Sequence, residues 1–404
     1  MTTPIIAFSK DWHEDPTSNH HVLRELARTR RVLWLNSIAT RRPALSSPRD
    51  RAKIRRKLAE VAHGAVNVEH DLWVATPLVL PLPSSAVAAA INQRILRWTI
   101  AALRAQLGIE RFHLWTFLPS AGEHVGALGE NLSVYYCVDE WATFSGVDPE
   151  ATARAERRLL ERVDVTFATS RALVAAKRRA CPVTYHAPHG VDHALFATAL
   201  DDATVVPADL AALPRPRLGF YGTLRDFIDL ELIAAVARAR PAWSIALIGQ
   251  RLCDLSPLDG LPNVHLLGQK PHSQLPAYCR GFDVGLIPYR IEDRIAYVNP
   301  LKLREYLSAG VPVVATPMPE VLPLTHLCRV AGTAADTIAA VEAALGDGAP
   351  AARRARSAAM ASETWTARVR EIARRIDELD LEKHARARVV QEWRLTGTTV
   401  CVAP

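Results

Sequence analysis

The sequence predicts an α/β protein of two tandem Rossmann-like, doubly wound domains that face each other across a cleft. Apolar runs of strand length alternate with helical stretches over residues 5–196. The alternation lapses over residues 198–216, which contain three prolines and little periodicity, and it restarts at Arg217. Alternation of this kind is typical of a parallel sheet that is covered on both faces by helices.

The first domain is expected to extend over residues 1–197 and to be followed by a linker at 198–216. Its predicted helices lie at about 20–29, 86–106, 119–129, 151–163 and 171–179. Its predicted strands are Pro4–Phe8, Arg31–Asn36, Leu72–Thr76, Arg111–Thr116, Val134–Val138, Val165–Ala168 and Val183–His186.

The second domain is expected at 217–365, and a helical tail at 366–404 could pack back on the N-terminal domain. The predicted strands of this domain lie at 217–222, 244–249, 264–268, 284–288, 311–315 and 328–330. Helices are predicted at about 229–239, 273–280 and 333–345, and an arginine-rich helical region at 351–392.

The most informative stretch is residues 299–316, which predicts a turn, a short helix and a buried strand. Asn299 favours an N-cap, and Pro300 suits the first helical position. The free amides at the helix start, together with Lys302, suit an anion such as a diphosphate. Glu305 could accept hydrogen bonds from the hydroxyls of a sugar. The simpler alternative is a surface ion pair between Lys302 and Glu305.

The net charge of +7 and the pI of about 9.2 favour anionic partners. The excess is local, because residues 41–57 hold eight basic residues and one acidic residue. This segment could form an amphipathic helix that contacts an anionic membrane, although a solvated loop is the simpler expectation. No aromatic residues interleave its charges, so we expect no nucleic acid partner.

The six cysteines are scattered without a CxxC pair or metal-ligand spacing, which predicts reduced thiols and no metal site. The N-terminus leads directly into a strand and lacks the features of a signal peptide. Residues 72–91 carry no charge and are long enough to span a bilayer, but their three prolines argue against a spanning helix. A cytoplasmic protein is therefore expected.

Several motifs of the chain resemble those of GT-B glycosyltransferases. The run from Phe282-Asp-Val-Gly-Leu-Ile-Pro-Tyr289 to Asn299-Pro-Leu-Lys-Leu-Arg-Glu-Tyr-Leu-Ser-Ala-Gly-Val-Pro-Val-Val-Ala-Thr316 is similar to their donor-binding domain. It resembles in particular the bacterial group-1-type enzymes that build cell-surface polysaccharides, including teichuronic-acid-type transferases. Phe220-Tyr-Gly-Thr-Leu-Arg225 resembles the family's first phosphate-side loop. Phe167-Ala-Thr-Ser170 and His189-Gly-Val-Asp192 resemble the end of its N-terminal domain.

The resemblance implies that the second domain binds a nucleotide-diphosphate sugar as a substrate and that no cofactor or metal is needed. Glu305 would hydrogen-bond the ribose, and the amides near Pro300 would face the sugar and the diphosphate. The residues expected at the donor site are Gly222, Thr223, Arg225, Gly249, Gln269, Lys270, Asn299, Pro300, Leu301, Lys302 and Glu305.

The chain departs from the family pattern at two positions. Many relatives carry a second glutamate eight residues before the ribose-binding one, where this chain has Tyr297. Many also carry a lysine about six residues after the arginine of the first loop, where this chain has residues 229–231, Asp-Leu-Glu. The cations left for the diphosphate, besides the helix dipole, are Arg225, Lys302, Arg251 and Arg290.

In the first domain, Asp139 and Glu140 follow a predicted buried strand and should therefore reach the cleft. Asp139 could act as the general base that deprotonates an acceptor hydroxyl, or it could cap the next helix or bind a hydroxyl. The expected acceptor contacts are Trp12, His21, Glu140 and His189. The adjacent His20 and His21 would more simply be exposed, and His189 could belong to a plain turn.

These observations predict a metal-independent glycosyltransferase of the hexosyltransferase type. It would move a sugar from a nucleotide-diphosphate donor to a saccharide or lipid-linked acceptor in bacterial surface polysaccharide or glycoconjugate biosynthesis. Two alternatives stay open: a sugar-nucleotide 2-epimerase, which uses the same fold, and a nucleotide-sugar-binding protein without activity. The protein would be cytoplasmic and could lie peripherally on the inner face of the membrane.

Overall fold

The computed structural model describes residues 2–37, 48–80 and 86–396. Over these residues the chain forms two parallel sheets covered by helices, which confirms the predicted α/β class. Residues 41–47 of the basic segment and residues 397–404 of the tail lie outside the described residues. No helix in the described part of the chain is long and apolar enough to cross a bilayer.

The first sheet contains eight strands: β1 (Ile5–Phe8), β2 (Val32–Leu35), β3 (Val66–Glu69), β4 (Leu72–Ala75), β5 (His113–Thr116), β6 (Leu132–Cys137), β7 (Val165–Ala168) and β8 (Thr184–His186). Their order is β3-β4-β2-β1-β5-β6-β7-β8, and only β3 runs antiparallel to its neighbour. The helices of this domain are α1 (Ser18–Ala27), α2 (Pro48–His63), α3 (Ala86–Leu107), α4 (Pro149–Leu160) and α5 (Arg171–Lys177). The strand order reverses between β1 and β5, which is where ligands bind in open sheets of this kind.

The second sheet contains six parallel strands: β9 (Arg217–Tyr221), β10 (Ser244–Ile248), β11 (Val264–Gly268), β12 (Val284–Ile287), β13 (Val313–Ala315) and β14 (Arg329–Val330). Their order is β11-β10-β9-β12-β13-β14, so the switch point lies between β9 and β12. The remaining helices are α6 (His193–Ala197), α7 (Ala208–Ala211), α8 (Leu230–Ala239), α9 (Leu275–Gly281), α10 (Leu301–Ser308), α11 (Ala334–Leu345), α12 (Pro350–Ala359) and α13 (Trp365–Thr396).

Three elements of the first domain differ from the expectation. The described part of the basic segment, residues 48–57, belongs to helix α2, so the expectation of a solvated loop is wrong there. Strand β3 was not predicted, because it is mostly exposed at the sheet edge and no buried apolar run marks it. The helix expected at 119–129 is only a 3₁₀ turn over Pro119–His124. The glycines at 122, 126 and 129 explain this result, since glycine weakens a helix by about 1 kcal/mol relative to alanine.

The loops after the strands of one sheet contact the loops after the strands of the other. Asn299, in the segment after β12, donates from Nδ2 to the carbonyl of Thr169, which follows β7, at 2.7 Å. Gln269, directly after β11, donates from Nε2 to Oδ2 of Asp15, which follows β1, at 2.6 Å. Both switch points therefore open into one cleft between the domains.

The last helix, α13, packs on the first domain after following the second along the chain. Trp365, Val369, Ile372 and Ile376 of this helix are buried in the core that covers one face of the first sheet. Burying side chains of this size contributes about 1.5–3 kcal/mol each. The chain thus crosses the domain boundary twice, once on each side of the second domain.

A buried ion cluster supports the carboxyl end of the first sheet. The Lys177 ammonium lies 2.7 Å from a carboxylate oxygen of Glu140 and 2.8 Å from one of Glu156. Tyr135 donates its hydroxyl hydrogen to Glu156 at 2.7 Å. Burial acts to lower the pKa of Lys177, but the neighbouring acidic groups outweigh it and raise the pKa above its usual range. One cation therefore holds the buried carboxylate of Glu156 and the half-buried carboxylate of Glu140 in place.

Substituting Lys177→Met tests this cluster, because it leaves the buried Glu156 and the half-buried Glu140 without their cation. We expect the free energy of unfolding, measured by urea denaturation at pH 7, to fall by about 3–5 kcal/mol. The control is Glu150→Ala, which removes an exposed ion pair with Arg154 and should change the same quantity by less than about 1 kcal/mol. Equal effects of the two substitutions would contradict a structural role of the buried cluster.

Candidate functional site

The loop after β9 meets the start of α10 at the switch point of the second sheet. Gly222 is the first residue after β9 and has a φ of +134°, a conformation that other residues rarely adopt. A Cβ atom on Gly222 would lie 2.2 Å from Cε and 2.6 Å from Nζ of Lys302. The Lys302 ammonium therefore packs on the bare backbone of Gly222, in space that any side chain would fill.

A second glycine completes this arrangement. Gly249 follows β10 with a φ of +152°, and a Cβ atom there would lie 1.9 Å from the carbonyl oxygen of Gly222. The Lys302 ammonium has the Tyr289 hydroxyl at 3.5 Å and the Phe220 ring centre at 5.6 Å. Within the described residues no carboxylate forms a salt bridge with it. Its charge therefore remains available to an anion.

Glu305 is buried beside this lysine and is held by two donors. His272 Nε2 lies 3.1 Å from Oε1, and the Tyr221 hydroxyl donates to Oε2 at 2.9 Å. Burial acts to raise the pKa of Glu305, but the hydrogen bond and charge of His272 and the charge of Lys302 outweigh it and lower the pKa. The alternative of a surface ion pair between Lys302 and Glu305 is wrong, since Glu305 is buried and bonds His272 instead.

The start of α10 differs by one residue from the expectation. Pro300, not Asn299, is the N-cap, and no side chain caps the helix. Asn299 is buried, donates to Thr169 of the first domain and accepts a hydrogen bond from Arg304 Nη1 at 2.8 Å. Leu301 packs against the core of the first domain. The helix start is therefore tied to both domains, and Asn299 joins the two domains instead of capping the helix.

Of the other expected donor residues, some lie beside Gly222 and others bond partners elsewhere. Thr223 and Arg225 lie half-buried on the loop that begins at Gly222. Lys270 forms a salt bridge with Asp209 of α7 at 2.7 Å, and Gln269 bonds Asp15 across the cleft. The polar ends of Gln269 and Lys270 are thus engaged away from Lys302 and Glu305.

The two positions that depart from the family pattern have structural roles here. Tyr297 ends the 3₁₀ turn Asp293–Tyr297 and packs against a core of the first domain. Asp229 caps α8 by accepting a hydrogen bond from the amide of Leu232 at 2.9 Å. Tyr297 thus makes a contact between the domains, and Asp229 caps a helix, in the regions where many relatives carry a glutamate and a lysine.

An arginine that the sequence analysis did not single out lies between the domains near these positions. The Arg294 guanidinium is 5.8 Å from the ring centre of Phe144 in the first domain and 5.2 Å from that of Phe227 in the second. It pairs with Glu292 at 3.1 Å and with Asp226, the residue after Arg225 on the phosphate-side loop, at 3.8 Å. Arg294 therefore lies beside that loop with its charge already paired to these two carboxylates.

Asp139 and Glu140 have separate environments although they are adjacent. Glu140 forms a salt bridge with Lys177, whereas no described side chain donates a hydrogen bond to the Asp139 carboxylate. Burial raises the pKa of Asp139 to about 7; Arg294 acts to lower it and Glu140 to raise it. Neither carboxylate caps a helix, because the 3₁₀ turn Trp141–Thr143 has no side-chain cap. Asp139 can thus exchange a proton near neutral pH.

Two histidine rings pack against Trp365 at the junction of the domains, and a third histidine lies next to one of them. The His21 ring stacks on the Trp365 ring with centroids 4.9 Å apart, and the His189 ring lies 5.8 Å from it. The His272 ring lies 5.8 Å from that of His21. Burial lowers the pKa values of His21 and His189 to about 3, so both rings are neutral in the ordinary pH range.

The acceptor residues expected on the first domain do not form one group. His189 already bonds Ser18 through its ring at 3.1 Å, and the ring of Trp12 packs 5.2 Å from that of Trp34. The expectation that His20 and His21 are exposed is wrong, because His20 is buried and His21 is half-buried. A cavity of about 770 Å³ opens beside His21, His272 and Trp365, within the size range of ligand sites.

Sequence reasoning missed four residues of this region: Tyr221, His272, Arg294 and Trp365. Tyr221 and His272 lie within two residues of expected donor contacts, Gly222 and Lys270. Their role depends on the side chain they share, Glu305, which spacing along the chain does not show. Arg294 lies in a polar loop that no motif marks.

The arrangement combines an unpaired ammonium, free amides at a helix start and a buried carboxylate within one turn of helix. Such a group suits a diphosphate attached to a hydroxyl-bearing ring, because the cation and amides bind phosphate and the carboxylate accepts from hydroxyls. Among the described residues, no three or more His, Cys, Asp or Glu side chains are grouped to hold a metal ion.

Comparison with known proteins points to the same class of ligand as the geometry of the site. Residues 215–347 match the family model described as glycosyl transferases group 1. A Bacillus subtilis (strain 168) protein, provisionally named teichuronic acid biosynthesis glycosyltransferase TuaH, is 26% identical over 232 residues. That alignment covers 52% of this chain and 56% of the relative, so it spans little more than half of the relative's length.

Solved glycosyltransferase structures show the same fold over nearly the whole chain. A sucrose-phosphate synthase from Thermosynechococcus elongatus has a TM-score of 0.66 at 18% identity, covering 93% of this chain and 99% of its own. The Anabaena protein HepE, in complex with UDP and glucose, has a TM-score of 0.63 at 15% identity, covering 92% and 99%. The predicted GT-B fold is confirmed, as is the resemblance of the second domain to group 1 glycosyltransferases.

Substituting Gly222→Ala tests the contact on which this site is built. The new methyl group would displace the Lys302 side chain and strain the backbone. We expect the affinity for a nucleoside diphosphate, measured by isothermal titration calorimetry over a panel of bases, to fall by at least about tenfold.

The matched control is Gly332→Ala, because the nearest atom to a Cβ there is 3.7 Å away and no residue needs to move. It should bind like the unchanged protein. Unaltered binding by Gly222→Ala, in a variant that keeps its unfolding temperature, would show that the diphosphate does not bind against Lys302.

Proposed function

From a GT-B fold whose second domain is a group 1 glycosyltransferase domain, we propose that this chain is a glycosyltransferase. It would transfer a sugar from a nucleotide-diphosphate donor to a saccharide or lipid-linked acceptor in bacterial surface polysaccharide or glycoconjugate biosynthesis. The observation that carries the proposal is the packing of Lys302 on Gly222 next to the buried Glu305. The names of similar proteins support the same class, since TuaH is named for teichuronic acid biosynthesis and HepE binds UDP and glucose.

On the donor side, the Lys302 ammonium and the amides at the start of α10 would bind the diphosphate, and Glu305 would bind the ribose hydroxyls. His272 now occupies Oε1 of Glu305, so ribose binding would share or displace this contact. Arg225 would add positive charge at the leaving diphosphate, in place of the lysine present in many relatives. Arg294, already paired with Asp226 and Glu292, would instead hold the loop that carries Arg225. Stabilising a leaving group in this way needs no metal ion, because the protein's own cations supply the charge.

On the acceptor side, Asp139 would act as the general base that removes the proton of the attacking hydroxyl. Its raised pKa of about 7 suits this role, since a base works best when its pKa lies near the working pH. Its carboxylate is free of hydrogen bonds from described side chains, which leaves it open to an acceptor. Glu140, bound to Lys177, would instead hold the end of β6 in position.

The acceptor would enter over the first domain and reach Asp139, which follows β6. We propose that the protein works in the cytoplasm at the membrane surface when its acceptor is lipid-linked. The basic segment 41–57 would contribute electrostatic attraction; its described part belongs to α2, where Arg55 and Arg56 are exposed.

A protein that binds a nucleotide sugar without turning it over is the second candidate. It is favoured by Tyr297 and Asp229, which take structural roles at positions where many relatives carry charged groups. A sugar-nucleotide 2-epimerase would act on the donor alone, without an acceptor.

Turnover assays over a panel of nucleotide sugars separate these functions. We expect release of the nucleoside diphosphate from at least one donor, and faster release when a saccharide or lipid-linked acceptor is added. Glu305→Gln should weaken donor affinity by at least about tenfold, whereas Glu342→Gln, at an exposed ion pair, should not. Tight binding without turnover of any donor would favour the binding protein, and isomerisation without an acceptor would favour the epimerase.

The pH dependence of transfer tests the role of Asp139. Below about pH 7 the carboxylate is protonated and cannot act as a base, so kcat/KM should fall about tenfold per pH unit there. Asp139→Asn should lower kcat by about 10²–10⁴-fold and remove this dependence.

Asp148→Asn is the control, because Asp148 caps α4 from an exposed position and asparagine caps a helix equally well. It should keep the activity and the pH profile of the unchanged enzyme. An Asp139→Asn variant with the same pH profile as the unchanged enzyme would rule out Asp139 as the base.

A further inference from the structure

Helix α3 of the first domain has apolar side chains on two opposite faces. Its inner face packs in the core beneath the first sheet through Leu96, Ile100, Leu103 and Leu107. An ordinary surface helix would carry polar residues on the other side. The outer face of α3 instead carries large apolar residues, and these exposed side chains do not contribute to the core of the domain.

The outer face is a continuous stripe along the helix. Val87, Ile91, Arg94 and Trp98 follow one another at intervals of four, three and four residues, which places them on one side of an α-helix. Trp98 is 79% exposed and Val87 is 70% exposed. A tryptophan left in water to this extent loses the burial that a folded protein normally gives it.

The segment before α3 extends this stripe. Leu78 and Leu80 are also exposed, and the backbone of Leu80 is held by Asn92 of α3 through both its amide, at 2.6 Å, and its carbonyl, at 2.9 Å. Five of the fourteen large apolar side chains that are exposed among the described residues therefore lie within residues 78–98. The others are spread over the rest of the chain, so this concentration marks a single surface.

The charge of this surface has one sign. Residues 72–109 contain no aspartate or glutamate, and Arg94 and Arg97 of α3 are exposed beside Trp98. Helix α2 approaches the end of α3, since a Cβ on Gly64, directly after α2, would lie 3.9 Å from Gln106. Arg55 of α2 is exposed as well, whereas Arg56 is already paired with Glu60 and Asp11.

We propose that the outer face of α3, with Leu78 and Leu80, docks on an anionic lipid bilayer. Apolar side chains would enter the boundary between head groups and acyl chains, tryptophan would lie at that boundary, and the arginines would bind lipid phosphates. An apolar stripe without carboxylates fits this occupant better than a second copy of the chain. Two copies meeting through the stripe would bring Arg94 and Arg97 against each other.

This proposal rests on the proposed function, because the surface would hold the first domain at the membrane, where a lipid-linked acceptor lies. It is tested without donor or acceptor, so failure of docking and failure of sugar transfer are observed separately. The experiment measures sedimentation of the full chain with vesicles of phosphatidylcholine mixed with phosphatidylglycerol, and with vesicles of phosphatidylcholine alone.

We expect the unchanged protein to bind the anionic vesicles and to be released by high salt. The variant Val87→Ser, Ile91→Ser, Trp98→Ser should bind at least about tenfold more weakly. The variant Arg94→Gln, Arg97→Gln should also bind more weakly and show less dependence on salt. All positions are exposed, and unchanged thermal unfolding of both variants would show that the fold is intact.

The control variant changes three exposed apolar residues elsewhere: Val205→Ser, Leu322→Ser and Leu381→Ser. It should bind vesicles like the unchanged protein. Equal vesicle binding by the α3 variant and this control would overturn the proposal. A dimer in solution that the α3 substitutions dissociate, with no vesicle binding, would overturn it in favour of a second copy of the chain.

Discussion

The contact between the Lys302 ammonium and the bare backbone of Gly222 is the constraint on which the proposed donor site depends. The lysine reaches this position because α10 is anchored on β9 by Tyr306. The Tyr306 hydroxyl accepts from the amide of Tyr221 at 3.1 Å and donates to the carbonyl of Gly219 at 3.3 Å. The preceding residue, Glu305, is thereby buried against Tyr221 and His272. The Lys302 ammonium and the Glu305 carboxylate thus lie on one turn of α10 without forming a salt bridge with each other.

The same helix start also links the two domains. Asn299 bonds Thr169 of the first domain on one side and Arg304 of α10 on the other, so a shift between the domains would move the start of the helix. Asp139 at the end of β6 faces this region with Arg294 between the domains. Donor and acceptor groups would therefore be aligned by the contacts that close the cleft, and proximity would supply a large part of the rate.

The sequence was sufficient to predict the fold and helix α10, because both depend on local patterns. Buried strands appear as apolar runs, and residues 299–316 combine a proline, spaced charges and a glycine-ended helix. Patterns along the chain could not show contacts between distant residues. Asn299 was expected to cap the helix, whereas its amide bonds the other domain. His272 and Arg294 act through partners far away in sequence, and strand β3 pairs at an exposed edge without an apolar run.

A crystal structure with a bound nucleotide-diphosphate sugar would test the central claim most directly. The diphosphate should lie about 3 Å from Lys302 Nζ and against the amide of Gly222, with the ribose hydroxyls on Glu305 and a changed contact to His272. A nucleotide bound away from Lys302 and Glu305, with the His272–Glu305 contact intact, would contradict the assignment of this site.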